Sequence, residues 1–380
     1  MTSDGCAAGT AARSVAPMPT LPPATTRRRA TTPRLALVVL AATIALLTGC
    51  SHPVQLEWTR VVPGGDCHCA DGSEFAFREW RADPTKVVLF LNGGGVCWDA
   101  AMCAFTGERG ENDFYDWSIQ GTEPENRSGM FDITRADNPF RDYSFLYVSS
   151  CTGDAHLGDA TQVYGSGLTV EHRGYVNGTA ALDHLVGQYP DATQVVVVGK
   201  TAGSVAAPIY GGLVADRLPD AQVTVLGGQS GAWPDDPELD ADVLAGRWGA
   251  HDAVPDWAVA GLSAQEWGPP RFWSQAGRHD PDLVLARFDF AYDPQAASEV
   301  TRWMDGDPPD LLDVIDANES SIEAAGVTLH SFTAPGADHQ IFEPAKFYQV
   351  EVDGVRLVDW VRSLVAGEAP DDVHCDDCGP

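Results

Sequence analysis

The chain has 380 residues, 44% of them hydrophobic, with 38 Gly and 26 Pro. That is enough for one large core with insertions, or for two small domains. The formal charge of −30 is spread along the chain without a basic stripe, which excludes a nucleic-acid-binding surface and reads as a well-hydrated exterior.

Residues 1–49 read as a lipoprotein-type signal peptide. Arg27, Arg28, Arg29 and Arg34 form a positive n-region, and 35–47 form an apolar h-region too short for a comfortable membrane span. Leu47-Thr48-Gly49-Cys50 resembles the bacterial lipobox, in which cleavage precedes a cysteine whose thiol is acylated. An ordinary secretory signal is the alternative, and the Arg27-Arg28 pair also permits twin-arginine export. Cleavage before Cys50 removes five Arg and one Asp, so the remainder is still more acidic. Anionic headgroups would repel it, and acyl chains would be its anchor. The expected location is therefore outside the cell, tethered to the outer face of the bacterial membrane.

Seven cysteines follow Cys50: Cys67, Cys69, Cys97, Cys103, Cys151, Cys375 and Cys378. In an exported chain they are disulfide candidates, and the odd count leaves one over. Zinc held by Cys67, Cys69, Cys375 and Cys378 is disfavoured, because Cys-x-Cys is too tight for a usual knuckle.

After a tether over 50–63, the predicted domain runs over 64–366 and a tail over 367–380. Strands are predicted over 86–91 and 144–148. A helix over 173–189 carries Val176, Ala180, Leu182, Leu185 and Val186 at helical spacing. A strand over 194–198 feeds a helix over 202–218, in which Pro208 fits only as a kink or near the first turns. Strands over 223–226, 283–290 and 327–333 and a helix over 357–366 complete the series. Strands alternating with helices predict an α/β fold, a mostly parallel sheet flanked by helices. Residues 231–280 carry Trp233, Trp248, Trp257, Trp267 and Trp273 among many Pro and Asp. They predict a Trp-rich cap insertion, whose aromatics either stack on a ligand or form a local core.

The chemistry centres on Val195–Val198 followed by Gly199-Lys200-Thr201-Ala202-Gly203. A strand, a glycine turn and small residues opening a helix are the setting of the G-x-S-x-G nucleophile elbow, here with threonine at its centre. Gly199-Lys200-Thr201 also mimics the end of a phosphate loop. The glycine that such a loop needs five residues earlier is Gln194, so nucleotide binding is excluded. Nucleophile, acid and histidine follow in that chain order in hydrolases of this kind, and Thr201, Asp293 and His339 satisfy it. Asp289 and Asp338 compete as the acid, although the Phe288-Asp289-Phe290 alternation marks Asp289 as structural. Ser204 competes as the hydroxyl but lies one helical turn past the elbow. Lys200 reads as a solvated or paired charge. Asn92-Gly93-Gly94-Gly95 after a strand offers unobstructed amides, so Gly94 or Gly95 with Ala202 are the oxyanion donors.

Several motifs occur in order: Cys69-Ala-Asp71-Gly72-Ser73, then Asn92-Gly93-Gly94-Gly95-Val-Cys97-Trp98, Cys103, and Cys151-Thr152-Gly153-Asp154-Ala-His156-Leu-Gly158. Ala291-Tyr292-Asp293 and Pro335-Gly336-Ala-Asp-His339 follow. Together, over roughly 60–365, they resemble the pectin acetylesterase/Notum family of α/β-hydrolases that cleave carboxylic esters with a serine triad. The resemblance implies Asp293 and His339 as acid and base and Trp98 as a pocket wall, with Thr201 departing from the family serine. The disulfides expected with it are Cys97–Cys103 and Cys69–Cys151, and Cys67 would pair with Cys375 or Cys378. The expected activity is ester hydrolysis, deacetylating a polysaccharide or related acyl substrate without metal or cofactor. The opposing expectation is a degenerate carbohydrate- or lipid-binding surface lipoprotein on an esterase scaffold.

Overall fold

The computed structural model describes residues 58–107, 110–119, 128–165, 167–304 and 310–379. The chain divides into two units, Met1–Val54 and Gln55–Pro380, and every described residue belongs to the second. The signal segment, Cys50 and most of the tether lie outside the described residues. Among those described, no helix is long and apolar enough to cross a membrane.

A nine-stranded sheet runs through this unit. Its strands are β1 (Thr59–Val61), β2 (Phe77–Trp80), β3 (Asp83–Leu91), β4 (Tyr143–Val148), β7 (Gln194–Lys200), β8 (Gln222–Gly228), β9 (Val284–Phe290), β10 (His330–Ala334) and β13 (Val373–His374). β5 (Ala160–Tyr164) and β6 (Leu168–His172) form a separate antiparallel hairpin, and β11 (Glu351–Val352) pairs with β12 (Val355–Arg356). The order is β1-β2-β4-β3-β7-β8-β9-β10-β13. β1–β2 and β2–β4 are antiparallel and every other neighbouring pair is parallel.

The central strands are continuous apolar runs because both faces of the sheet are covered. Side chains alternate between the faces. Val87, Leu89, Leu91, Val195 and Val197 enter one core, shared with α1 (Gly174–Gln188) and α2 (Ala202–Arg217). Val88, Phe90, Val196 and Val198 enter the other, shared with α9 (Leu357–Val365).

The segment 231–280 divides in two. Ala232, Trp233 and Pro234 wall the cavity described below. The rest is the crossover from β8 to β9: short turns α3 (Pro237–Leu239), α4 (Ala250–Ala253) and α5 (Asp256–Val259), a π-helical stretch Asp240–Arg247, and α6 (Pro269–His279). α6 packs on α2, and Trp248, Trp267 and Trp273 are buried as part of the core on that face of the sheet. After β9 come α7 (Pro294–Trp303) and α8 (Leu311–Ala324), both missed by the sequence reading. The tail was also read without structure, yet β13 within it adds to β10 in parallel.

Cys69 is bonded to Cys151, Cys97 to Cys103, and Cys375 to Cys378. The expectation that Cys67 pairs with Cys375 or Cys378 is corrected. Cys67 is a free buried thiol facing the Val176 carbonyl of α1, in the core on one face, whereas Cys375 and Cys378 lie in the core on the other. Adjacent to each other past the edge strand, those two cysteines close a local loop.

Candidate active site

The carboxyl ends of the parallel strands gather the groups singled out above. Asn92–Gly95 leaves β3, Thr201 leaves β7, Gln229 leaves β8, Asp293 follows β9 and His339 follows β10. Open α/β sheets present ligand sites at this end.

The elbow is built by steric necessity. Thr201 has φ 49° and ψ −117°, a conformation forced on a β-branched residue by its surroundings. A Cβ on Gly199 would lie 2.4 Å from the Ser204 Cα, and one on Gly203 would lie 2.2 Å from the Leu91 carbonyl oxygen. Both glycines are thus required for β7, α2 and β3 to meet at a sharp turn. The Thr201 N–H donates to the Gly228 carbonyl at 2.8 Å, which fixes the turn to β8. A Cβ on Gly93 would lie 1.8 Å from Thr201 Oγ1, so the hydroxyl rests directly over the glycine strand.

That strand is held from behind. The Gly94 carbonyl accepts from the Asp116 N–H at 2.8 Å. In a trans peptide the next N–H points the opposite way, so this bond aims the Gly95 N–H away from Asp116. Gly95 has φ +69°, and the Phe114 carbonyl leaves no room for a Cβ there. His156 Nε2 donates to the Asn92 carbonyl at 2.7 Å, and the Cys97 N–H to the Gly153 carbonyl at 2.9 Å. The Asp154 carboxylate accepts from Thr152 Oγ1 and the Gly174 N–H. The motif running from Cys151 to Gly158 is therefore a brace for the glycine strand. Burial pushes the His156 imidazole down to about 4, so it is neutral at pH 7 and serves as a fixed donor. Among the described residues, no hydrogen bond engages the N–H of Gly94, Gly95 or Ala202. Ala202 opens α2, where such N–H groups have no partner within the helix.

His339 Nδ1 donates to Asp293 Oδ2 at 2.6 Å. Asp293 is 1% exposed and caps α7, its Oδ1 accepting from the Gln295 and Ala296 N–H groups. With Nδ1 engaged, Nε2 is the free ring nitrogen. Among the described residues, no hydrogen bond joins Thr201 Oγ1 to His339. The competing acids are committed elsewhere. Asp289 pairs with Arg287 at 2.9 Å and accepts from the Gly231 N–H, and burial raises it to about 6. Asp338 is ion-paired with Lys346. Ser204 is wholly buried, 2.6 Å from Ser230 Oγ, and turned from the site. Lys200 is ion-paired with Glu343.

The sequence reading missed Gln229. With φ 61°, it reaches back so that Nε2 donates to both Asp293 Oδ2 at 3.1 Å and the Asp338 carbonyl at 3.0 Å, while Oε1 accepts from the Phe290 N–H. It ties the acid loop to the histidine loop. Nothing in a lone loop glutamine signals this.

Beside Asp293 opens a narrow cavity walled by Val96, Trp98, Trp233, Phe290, Glu299 and Trp303, among others. About 20 Å³ of it admits the centre of a water molecule, room for one or two waters and hence for a few heavy atoms. Trp303 stands edge-on to Trp98 at 5.0 Å and packs against Trp233 at 4.9 Å and Trp248 at 6.4 Å. Ala296, Glu299, Val300 and Trp303 share one face of α7 by their spacing. Glu299 was not foreseen either. Burial raises its pKa, with the nearby His339 working against the rise.

A sharp strand–helix elbow, a braced glycine strand and an acid-anchored histidine on this sheet define an α/β-hydrolase. The fold agrees with that of the Wnt deacylase Notum from Drosophila, which is 14% identical, with a TM-score of 0.59 over 84% of this chain and 96% of that one. The family model for pectinacetylesterase matches residues 54–243. The chain belongs to that family and is a hydrolase of the esterase type. No curated protein matches it.

Proposed function

We propose that the protein hydrolyses short-chain carboxylic esters, with a polysaccharide-borne acetyl group as the substrate class. Thr201 Oγ1 attacks the acyl carbon, His339 Nε2 takes its proton, and Asp293 holds the ring and balances its charge. The N–H groups of Ala202 and of Gly94 or Gly95 receive the developing oxyanion. His339 then returns the proton to the leaving alkoxide, and water repeats the sequence on the acyl-threonine. Trp98 walls the acyl site. The observation that carries this reading is the Asp293–His339 hydrogen bond at the sheet end where Thr201 holds an elbow conformation. The small cavity supports a short acyl group over a fatty one.

The second reading, a degenerate binding protein, draws on the threonine and on the unmade bond between its hydroxyl and His339. Hydrolysis of p-nitrophenyl acetate by the mature protein separates the two. The expected result is measurable turnover that Thr201→Ala abolishes and Thr201→Ser raises. Activity that appears only in Thr201→Ser favours the degenerate site, and activity untouched by Thr201→Ala defeats both assignments of the hydroxyl.

Export and acylation at Cys50 belong to the same proposal, supported by three disulfides in the folded unit. Replacing Cys50 by Ala is expected to move the protein from the membrane fraction to the medium.

A further inference from the structure

Asp240 opens the π-helical stretch and is completely buried, yet neither of its carboxylate oxygens has a hydrogen-bond partner. A bare buried carboxylate is among the costliest groups a fold can hold, and an unmet one calls for an ion, a water or a proton. The cause lies in the neighbouring helix. Asp240 Oδ2 faces Gly268, the N-cap of α6, whose first turn would ordinarily supply N–H donors. The first two positions are Pro269 and Pro270, which have no N–H, and the third, Arg271, donates its N–H to the Gly268 carbonyl.

A second carboxylate converges on the same point. A side-chain carbon placed on Gly268 would sit 2.4 Å from Asp240 Oδ2 and 2.6 Å from Asp235 Oδ1. The absent Cβ leaves a cradle between them. Arg271 occupies only the other oxygen of Asp235, at 3.0 Å. Asp236 caps the turn α3, accepting from Glu238 and Leu239. Three aspartates against one guanidinium leave two negative charges here. The Asp235 side chain is 35% exposed, so the cradle opens to solvent on its side.

We propose that Asp240 and Asp235 bind a divalent calcium ion in the cradle over Gly268. The donors are all oxygen, which selects a hard cation. Two carboxylates on an irregular, half-open segment suit calcium, which takes six to eight oxygens in flexible geometry, better than magnesium, which demands an octahedron. Waters complete the shell from the open side. The ion neutralises the buried charge and clamps the chain leaving the cavity wall at Pro234 onto the start of α6. The competing occupant is a proton, since burial and the adjacent Asp235 and Asp236 raise Asp240 to about 8.

Thermal unfolding of the chelator-treated mature protein, with and without calcium chloride, tests the proposal, alongside calorimetric titration of the metal. Calcium at about a hundredfold excess over its Kd is expected to raise Tm by roughly 3–6 °C with one ion bound. Magnesium should give less than half of that. Asp240→Asn should abolish the shift and Asp235→Asn should reduce it. If Asp240→Asn fails to fold, Asp235→Asn with the wild-type stoichiometry supplies the comparison. The absence of a wild-type shift overturns the proposal, most directly if Asp240→Asn is then at least as stable as wild type, as a protonated carboxyl requires. A shift equal in wild type and both variants also overturns it, by locating calcium elsewhere on the acidic surface.

Discussion

The two arms of the candidate site are held by different forces. The acid–histidine arm is fixed by hydrogen bonds: Asp293 receives His339, two α7 amides and Gln229. The hydroxyl arm is fixed by exclusion. Gly93, Gly199 and Gly203 are needed because a Cβ there would strike backbone or the Thr201 hydroxyl, and the Thr201 N–H is bonded main chain to main chain. A hydrogen-bonded arm specifies the identity of each partner. An arm held by backbone and sterics specifies only a shape, and the elbow holds that shape with a threonine at its centre.

Breaking the hydrogen-bonded arm should have the largest effect. Under the proposed mechanism, His339→Ala and Asp293→Asn are each expected to lower p-nitrophenyl acetate kcat about 10³- to 10⁴-fold. Gln229→Leu should cost less in kcat and shift the pH profile, because the acid loop and the histidine loop lose their tie. An equal loss of stability without a kinetic change would reduce Gln229 to a structural strut.

The hydroxyl arm should respond in stability instead. Gly203→Ala drives a methyl onto the Leu91 carbonyl and is expected to destabilise by about 3 kcal/mol or more, read by chemical denaturation. Thr201→Ser at the same elbow should stabilise by about 1 kcal/mol, since it relieves a β-branched residue held at positive φ. A neutral Gly203→Ala would refute the steric account.

The smallest effect sharpens the boundary between the arms. Burial and Glu111 raise Asp116, behind Gly94, to about 7, with Lys200 opposing. The folded state then keeps a proton that the unfolded chain releases near pH 4. Its stabilising contribution is complete below that pH and is lost as pH rises through about 7. Buried His156 and His172, both lowered to about 4, work the other way, but only up to about pH 6.5, where the unfolded imidazole has lost its proton. In calcium-free protein Asp240, raised to about 8, adds a loss of the same sign. Stability should therefore fall between pH 6.5 and 8, and Asp116→Asn should lessen the part of that fall around pH 7 in denaturation midpoints.

Legibility in the sequence followed the same division. The parallel strands and the elbow were visible because doubly buried strands are unbroken apolar runs and because two glycines bracket Thr201. Their limits shifted by a few residues, as with β7, which extends to Lys200. Asp293 and His339 were visible as polar residues just past strand ends. Gln229 was not, since its role arises from a positive φ and three partners distant in sequence. The short outer strands escaped for a physical reason: β1, β2 and β13 are two to four residues long, and β13 lies in an acidic tail without alternation. The Cys151–Gly158 motif was legible only as a resemblance, and its function as a brace emerged from the bonds of Gly153 and His156.

The indole cluster around Trp303 has an optical consequence. Trp98, Trp233 and Trp248 all lie within 6.4 Å of it, centroid to centroid, close enough for their excited states to mix. The near-ultraviolet circular dichroism of the protein should carry a strong signature from this corner. An acyl group entering the cavity between Trp98 and Trp233 would perturb that coupling. Occupancy would thus be visible without a chromogenic substrate, even in a Thr201→Ala protein that turns nothing over.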